Sequence, residues 1–426
     1  MAHRSRVRLV LVPLLTALLA ALMQPALAAQ VPPGSGVRMA SALTSPAGGG
    51  GVTIVDPVTG TLTPVVGLSA NGKEALAGLI DPSNGRIILG LGGIPTVGGI
   101  LRVELSGAAV DDEALLVDLG GASIIDIALD RDGNYVVLAT GLGLLSVSRQ
   151  TLQVTTIDTN HYPGFMDALA VDPETNRCWV VTGRSSLFVD EDNVLIEYDL
   201  DDGPGAGAVL ASLASNGYLN SPWGLAFDGQ DTLYIGGTCI PFCTAEHLVR
   251  YTLSTGTLTN VVPGPTGAMI AGVHVDLVTG DLHIVENSFS GNWLVFDPDA
   301  GVVTSVVTFP PVEQYVSALD LNDWIDRTAL FPRHISSSAS TLVEMAAHGL
   351  PGELGFLAVV KLDGAPIAPL ILGIGPMDSG GYFTFSATAP PGLLAAGMSF
   401  TILSARQDLT TRKFTLGSLA ELSVGP

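Results

Sequence analysis

A short phrase recurs along this chain about every 50 residues: an apolar run, an Asp-led turn, then a second apolar run. It reads Ala77-Gly78-Leu79-Ile80-Asp81-Pro82, Asp126-Ile127-Ala128-Leu129-Asp130-Arg131, Ala168-Leu169-Ala170-Val171-Asp172-Pro173, Gly224-Leu225-Ala226-Phe227-Asp228-Gly229 and Gly272-Val273-His274-Val275-Asp276-Leu277. A period of this size made of short strands and turns describes a β-propeller, because one copy alone cannot bury the faces of its sheet. The turn positions Asp81, Asp130, Asp172, Asp228, Asp276 and the weaker Asn322 are separated by 49, 42, 56, 48 and 46 residues, which implies six blades. Each anchor is followed by a tight turn such as Arg131-Asp132-Gly133-Asn134 and a returning strand such as Tyr135-Val136-Val137-Leu138. Alternation and β-branched content mark these runs as strands, and Asp, Asn and Gly mark the turns.

The sixth anchor, Val316-Ser317-Ala318-Leu319-Asp320-Leu321, has no complete blade after it, whereas Gly51 to Leu62 reads as outer strands that lack an inner one. The two ends are therefore expected to share one blade, which would close the ring and remove an exposed sheet edge. The propeller is expected over 30–335. From Ser336 the period is lost, and alternating runs such as Leu357-Ala358-Val359-Val360 and Tyr382-Phe383-Thr384-Phe385 predict a small C-terminal β-sandwich over 336–426. The fold class is thus all-β. Leu342 to His348 is the one segment that reads as either a helical turn or a strand.

Arg4, Arg6 and Arg8 precede an apolar stretch from Leu9 to Met23 and a small-x-small site at Ala26-Leu27-Ala28, the pattern of a secretory signal peptide over 1–29. The expected location is secreted, extracellular or periplasmic, with no membrane span once the signal is removed. The formal charge of −22 becomes −25 without those arginines, which argues against nucleic acid as a partner. Most of the acidity precedes residue 337. Asp-rich turns explain it by solubility alone, and calcium is the cofactor that such acids would suit. Asp190-Glu191-Asp192-Asn193 is the densest run, so Asp190 and Asp192 are the candidate calcium ligands beside the reading as a solvated loop tip. Cys239 and Cys243 are spaced to close a small disulfide ring in an exported chain, while Cys178, within Arg177-Cys178-Trp179-Val180-Val181, reads as a buried free thiol.

The repeats, above all Pro222-Trp223-Gly224-Leu225-Ala226-Phe227-Asp228 through Leu233-Tyr234-Ile235, resemble the NHL, YVTN and gluconolactonase-like propeller families over roughly residues 37–335. That resemblance implies the fold; its members include scaffolds, ligand binders, lactonases and lyases. In the gluconolactonase-like enzymes an Asn beside the Gly of the phrase and an Asp after the following strand hold the metal. Trp223 and Gly237 or Thr238 stand at those places here, so the resemblance does not carry that metal site over. The tail, from Leu350-Pro351-Gly352 to Leu419-Ala420-Glu421-Leu422-Ser423-Val424-Gly425, looks like a sandwich module of exported planctomycete-type proteins, which implies an accessory or cell-surface role.

The connections on one face of a propeller meet around its channel, and in this chain they collect aromatic residues, amides and carboxylates. Tyr162, Asp167, Asn220, Trp223, Asn287, Trp293 and Tyr315 are the expected ligand-binding residues, suited to a small polar molecule, a glycan or a peptide. A second pattern lies in the repeat itself: Leu79, Ala128, Ala170 and Ala226 share one inner-strand position that holds His274 and Asp320 in the last two copies. A His beside a carboxylate can act as a general base, with His161 or Glu286 as the complementary acid; a hydrogen-bonded polar pair in the closing blade is the structural alternative. No nucleophile elbow, zinc-protease helix or phosphate loop is present in the sequence. Two readings follow: an exported binding protein with its ligand at the channel mouth, and a lactonase-like hydrolase or lyase.

Overall fold

The computed structural model of the protein describes residues 37–41, 51–55, 61–65, 75–92, 98–106, 109–159, 165–183, 193–213, 221–238, 248–261, 270–277, 279–287, 291–308, 316–321, 327–350, 352–378 and 381–426. All regular structure among them is β. The chain forms two compact units, one comprising 34–81 and 86–323, the other essentially 324–426.

The larger unit begins with β1 (Val37–Ser41), β2 (Gly51–Val55) and β3 (Leu62–Pro64). It continues with β4 (Ala75–Ile80), β5 (Ile87–Leu91), β6 (Gly99–Ser106) and β7 (Ala109–Asp118), then β8 (Ile124–Leu129), β9 (Tyr135–Ala139), β10 (Gly143–Val147) and β11 (Val154–Asp158). Next come β12 (Phe165–Asp172), β13 (Arg177–Gly183), β14 (Val194–Asp199) and β15 (Ala208–Ser212), and after them β16 (Ser221–Phe227), β17 (Thr232–Thr238), β18 (Leu248–Thr252) and β19 (Thr257–Asn260). The last are β20 (Ile270–Val275), β21 (Leu282–Asn287), β22 (Gly291–Asp297), β23 (Val302–Thr308) and β24 (Val316–Leu321). Each consecutive quartet from β4 to β23 is one four-stranded antiparallel sheet, and β24 pairs with β1 to give a sheet ordered β24-β1-β2-β3. The arrangement is propeller-like: β4, β8, β12, β16, β20 and β24, the first strand of each sheet, pack one on the next, and β24 packs on β4.

Local chemistry explains why the Asp of the phrase recurs. Its carboxylate accepts backbone N–H groups of the turn that follows, an Asx arrangement that satisfies donors the ladder cannot reach. Asp130 Oδ1 takes the N–H of Asp132 at 2.9 Å and of Asn134 at 2.8 Å. Asp228 Oδ1 takes those of Gln230, Asp231 and Thr232 at 2.8, 2.9 and 2.9 Å. Asp172 and Asp276 repeat the motif. Burial outweighs these bonds at Asp130 and pushes its carboxyl from 3.8 up to about 6.

Packing between sheets explains the small residues. A Cβ on Gly224 would lie 2.8 Å from the backbone nitrogen of Val273, so only glycine lets β20 approach β16 this closely. The described interfaces are apolar seams; Trp179, Val181, Leu195 and Ala170 of one sheet, for example, meet Leu225, Leu233, Ile235 and Tyr251 of the next. Cys178 is fully buried and free, and burial, with the charge of Asp126 adding to it, raises its thiol far above the ordinary range. Arg149 also reaches the buried carboxylate of Asp81 at 2.8 Å, tying the turn of one sheet to the outer hairpin of the next.

The smaller unit holds two sheets packed face to face. One contains β25 (Thr328–Phe331), β27 (Thr341–His348) and β30 (Tyr382–Ala389). The other runs β26-β32-β31-β28-β29, formed by β26 (His334–Ser336), β28 (Leu354–Leu362), β29 (Ala365–Pro376), β31 (Ser399–Gln407) and β32 (Phe414–Gly425). Leu330, Val343 and Met345 from the first meet Leu357, Ile402 and Leu422 from the second in a common core. The ambiguous segment at Leu342–His348 is strand, because it is paired along its whole length with β30. The expected boundary at 335/336 moves to 323/324. The short strands β25 and β26 read as the end of the propeller in sequence, but they pair with β27 and with β32, some 90 residues further on for the latter.

Candidate functional site

Every inner strand carries a β-bulge at the same place, which no sequence signal announced. The ladder skips one residue between Ala75 and Ala77, Ile124 and Asp126, Met166 and Ala168, Pro222 and Gly224, and Ile270 and Gly272. In β24 the skipped residue is Ser317. The extruded residues are thus Leu76, Ile125, Asp167, Trp223, Ala271 and Ser317, each five positions before the turn residue of its repeat. A bulge turns one side chain out of the ladder's alternation, and such devices gather beside active sites.

Asp167 stands apart within this set. Among the described side chains at bulges it is the one ionisable group, and no described residue donates a hydrogen bond to it. Its carboxylate lies over the Cα of Gly183, on the neighbouring strand β13, so closely that a Cβ there would overlap Oδ2. Burial pushes the carboxyl from 3.8 up to about 7, with no compensating bond. On the preceding strand Asp126 behaves in the opposite way. Its Oδ1 accepts the N–H of Ile127 and its Oδ2 the N–H of Leu169, both at 2.8 Å. Asp126 therefore bridges β8 to β12 two residues beyond Asp167 and holds that bulge in place. The other inner strands have Ala77, Ala168, Gly224, Gly272 and Ala318 at this position.

Trp223 is the bulged residue of the next inner strand, β16, and is 36% exposed. Asp167 and Trp223 thus occupy equivalent places on adjacent, packed strands. Leu76 and Ile125 are half-buried and Ala271 is buried. The described side chains of the bulge positions are one unpaired carboxyl, one accessible indole and aliphatic groups.

The remaining expected residues separate from this set. Trp293 is not on a binding face: it is fully buried on β22, stacked on His283 with centroids 5.1 Å apart. Its neighbours in sequence read as a loop, but the ladder of β21 with β22 already holds Trp293, opposite Val285, and places the indole inside the sheet packing. Glu286 pairs with Ile270 at the bulge end of β20, whereas His274 pairs with His283 toward the turn end. Three residues of β21 separate the two registers, about 10 Å of strand. The structure therefore does not bring His274 and Glu286 together; Glu286 instead accepts from Asn292 Nδ2 at 3.4 Å. Asp320 sits opposite Arg38 in β1, and only the strand positions of Asp320 and Asn287 are described. His161, Tyr162, Asp190, Asp192, Asn220, Cys239, Cys243 and Tyr315 lie outside the described residues. Among the described residues no group of three or more His, Cys, Asp or Glu is arranged to hold a metal.

No family model and no curated protein matches the chain. Solved structures align with it. A gluconolactonase from Xanthomonas campestris is 14% identical, over 86% of this chain and 100% of its own, at a TM-score of 0.47. A protein from Lactobacillus plantarum is 12% identical, over 92% of this chain and 97% of its own, at a TM-score of 0.42.

Proposed function

We propose that the chain is an exported six-bladed propeller, closed by the pairing of β24 with β1, that binds a small polar organic molecule where its six bulged residues ring the axis. The observation that carries this reading is Asp167. A half-buried carboxyl to which no described residue donates destabilises the fold when it ionises, and such a cost persists where a ligand supplies the missing partner. Trp223 would offer the ligand an apolar platform beside it, the combination of one directing polar group and aromatic surface that small-molecule sites use. The smaller unit, on this reading, is an accessory module for surface association. Export rests on the charged and apolar N-terminal pattern and is tested by sequencing the N-terminus of protein recovered outside the cytoplasm.

A hydrolase or lyase of lactonase type is the second reading, favoured by the same residue: a carboxyl titrating near neutrality is suited to act as a general base. The test is a screen of the purified mature chain against glycans, peptides and small organic molecules by calorimetry, with lactone and ester turnover measured in parallel. Binding without turnover, abolished by Asp167→Asn, supports the first reading. Turnover abolished by the same substitution supports the second, and ligands insensitive to it refute both placements of the site.

A further inference from the structure

Resting on the bulge-ring reading above, we infer that the ring selects a monovalent organic cation, an alkylated or aromatic ammonium compound, with Asp167 as its counter-ion and Trp223 as its cation–π platform.

Three observations lead there. First, the described bulge positions offer one carboxylate and no other charge: Leu76, Ile125, Trp223 and Ala271 complete the described side chains. A divalent cation asks for several oxygen ligands, and one carboxylate amid aliphatic groups supplies too few. One negative group in apolar surroundings balances a single, weakly hydrated positive charge. Second, Trp223 is bulged on the strand next to that of Asp167 and keeps 36% of its surface accessible. An indole face attracts cations, most strongly where water is excluded, and quaternary ammonium groups are the ligands for which that attraction competes best with hydration. Third, the chain carries a formal charge of −22, a field that concentrates cations and repels anionic ligands.

The titratable groups on the strands packed against β12 leave this charge uncompensated. β8 brings Asp126, whose oxygens are engaged by Ile127 and Leu169. β9 brings Tyr135, and β13 brings Arg177 and Cys178 at the end remote from Gly183, while β16 brings none. Arg177 is committed to Glu197 at 3.0 Å. No described cation on these strands reaches Asp167.

The experiment is calorimetric titration of the full mature chain with choline, with its uncharged carbon analogue dimethylbutanol, and with a neutral sugar and a lactone, at pH 6 and pH 8. Choline does not titrate in this range, so any pH response belongs to the protein. The expected result is choline binding at least tenfold tighter than dimethylbutanol at pH 8. It should weaken about tenfold at pH 6, as a carboxyl titrating at about 7 becomes protonated. Asp167→Asn should abolish both the preference and the pH response, and Trp223→Ala should weaken choline while leaving the pH response. If choline and dimethylbutanol bind equally, or choline binds without pH response, the cation inference is overturned. If only the sugar or lactone binds and Asp167→Asn abolishes it, the cation inference fails and the ring reading survives. If no probe responds to either substitution, the ring reading itself is overturned. Near-ultraviolet dichroism of each variant establishes that a loss of binding is not a loss of fold.

Discussion

Replacing Asp167 by asparagine should stabilise this protein, and only above a defined pH. The wild-type carboxyl titrates at about 7 in the folded chain against 3.8 in the unfolded one. Between those values the folded state holds a proton that the unfolded state has released, so stability falls as pH rises from about 4 to about 7 and is level beyond. At 1.4 kcal/mol per unit, a separation of about 3 units amounts to roughly 4 kcal/mol as an upper bound. Asparagine has the same shape and never ionises. The variant should match the wild type at pH 4 and exceed it at pH 8 by up to that amount, about 7 °C in melting temperature for a unit of this size. Asp130, also raised, contributes to the pH dependence of both proteins and cancels in the comparison. Differential scanning calorimetry of both chains from pH 4 to pH 8 measures the difference directly. A variant less stable than the wild type at pH 8, or a difference independent of pH, would show that the carboxylate has a stabilising partner and would remove the reason for placing a ligand there. Gain of stability together with loss of binding is the pattern expected of a functional residue.

Other substitutions test the packing that builds the site. Gly183→Ala should push the Asp167 carboxylate off β13 toward water, so the loss of stability between pH 4 and pH 7 should shrink in equilibrium denaturation, even though the added methyl itself costs about 1–3 kcal/mol. Asp228→Ala strips the acceptor from three turn N–H groups and should cost about 1–2 kcal/mol in urea unfolding, whereas Asp228→Asn, which keeps an oxygen, should cost less than half as much. Arg149→Ala removes the cation 2.8 Å from the buried Asp81 carboxylate and should destabilise by about 2–4 kcal/mol, read from the shift in denaturation midpoint. Gly224→Ala would force β16 away from β20 and should lower the melting temperature by several degrees, more than the same change at the open turn position Gly205.

How far residues could be read depended on the range over which their partners lie. The strand and turn pattern was legible because its causes are local: Asp130 and Asp228 satisfy N–H groups within four residues of themselves, and Tyr135 to Ala139 alternate between two buried faces. That the two chain ends share one sheet was expected only from what each end lacked, and only the structure identifies Val37–Ser41 as the strand that pairs with Val316–Leu321. Trp293 misled, since a tryptophan beside Asn, Ser and Gly reads as a loop aromatic, and only the register of β21 with β22 buries it. His274 misled in another way. The repeat position it shares with Asp320 suggested a site, but strand spacing puts its expected acid, Glu286, about 10 Å along the ladder from it.

The recurring phrase, with its acceptor Asp and its small residues, determined that this chain builds repeated antiparallel sheets with Asx turns, because hydrogen bonding in a turn and alternation in a strand act over a few residues. Only the tertiary structure decided that the residue five places before each turn is extruded, that Asp167 at one of those places is a carboxyl to which no described residue donates, and that residues 328–336 belong to the smaller unit. Burial, desolvation and long-range strand pairing are properties of what surrounds a residue, and for Asp167 those surroundings come from β8, β13 and β16, each set by a different stretch of chain.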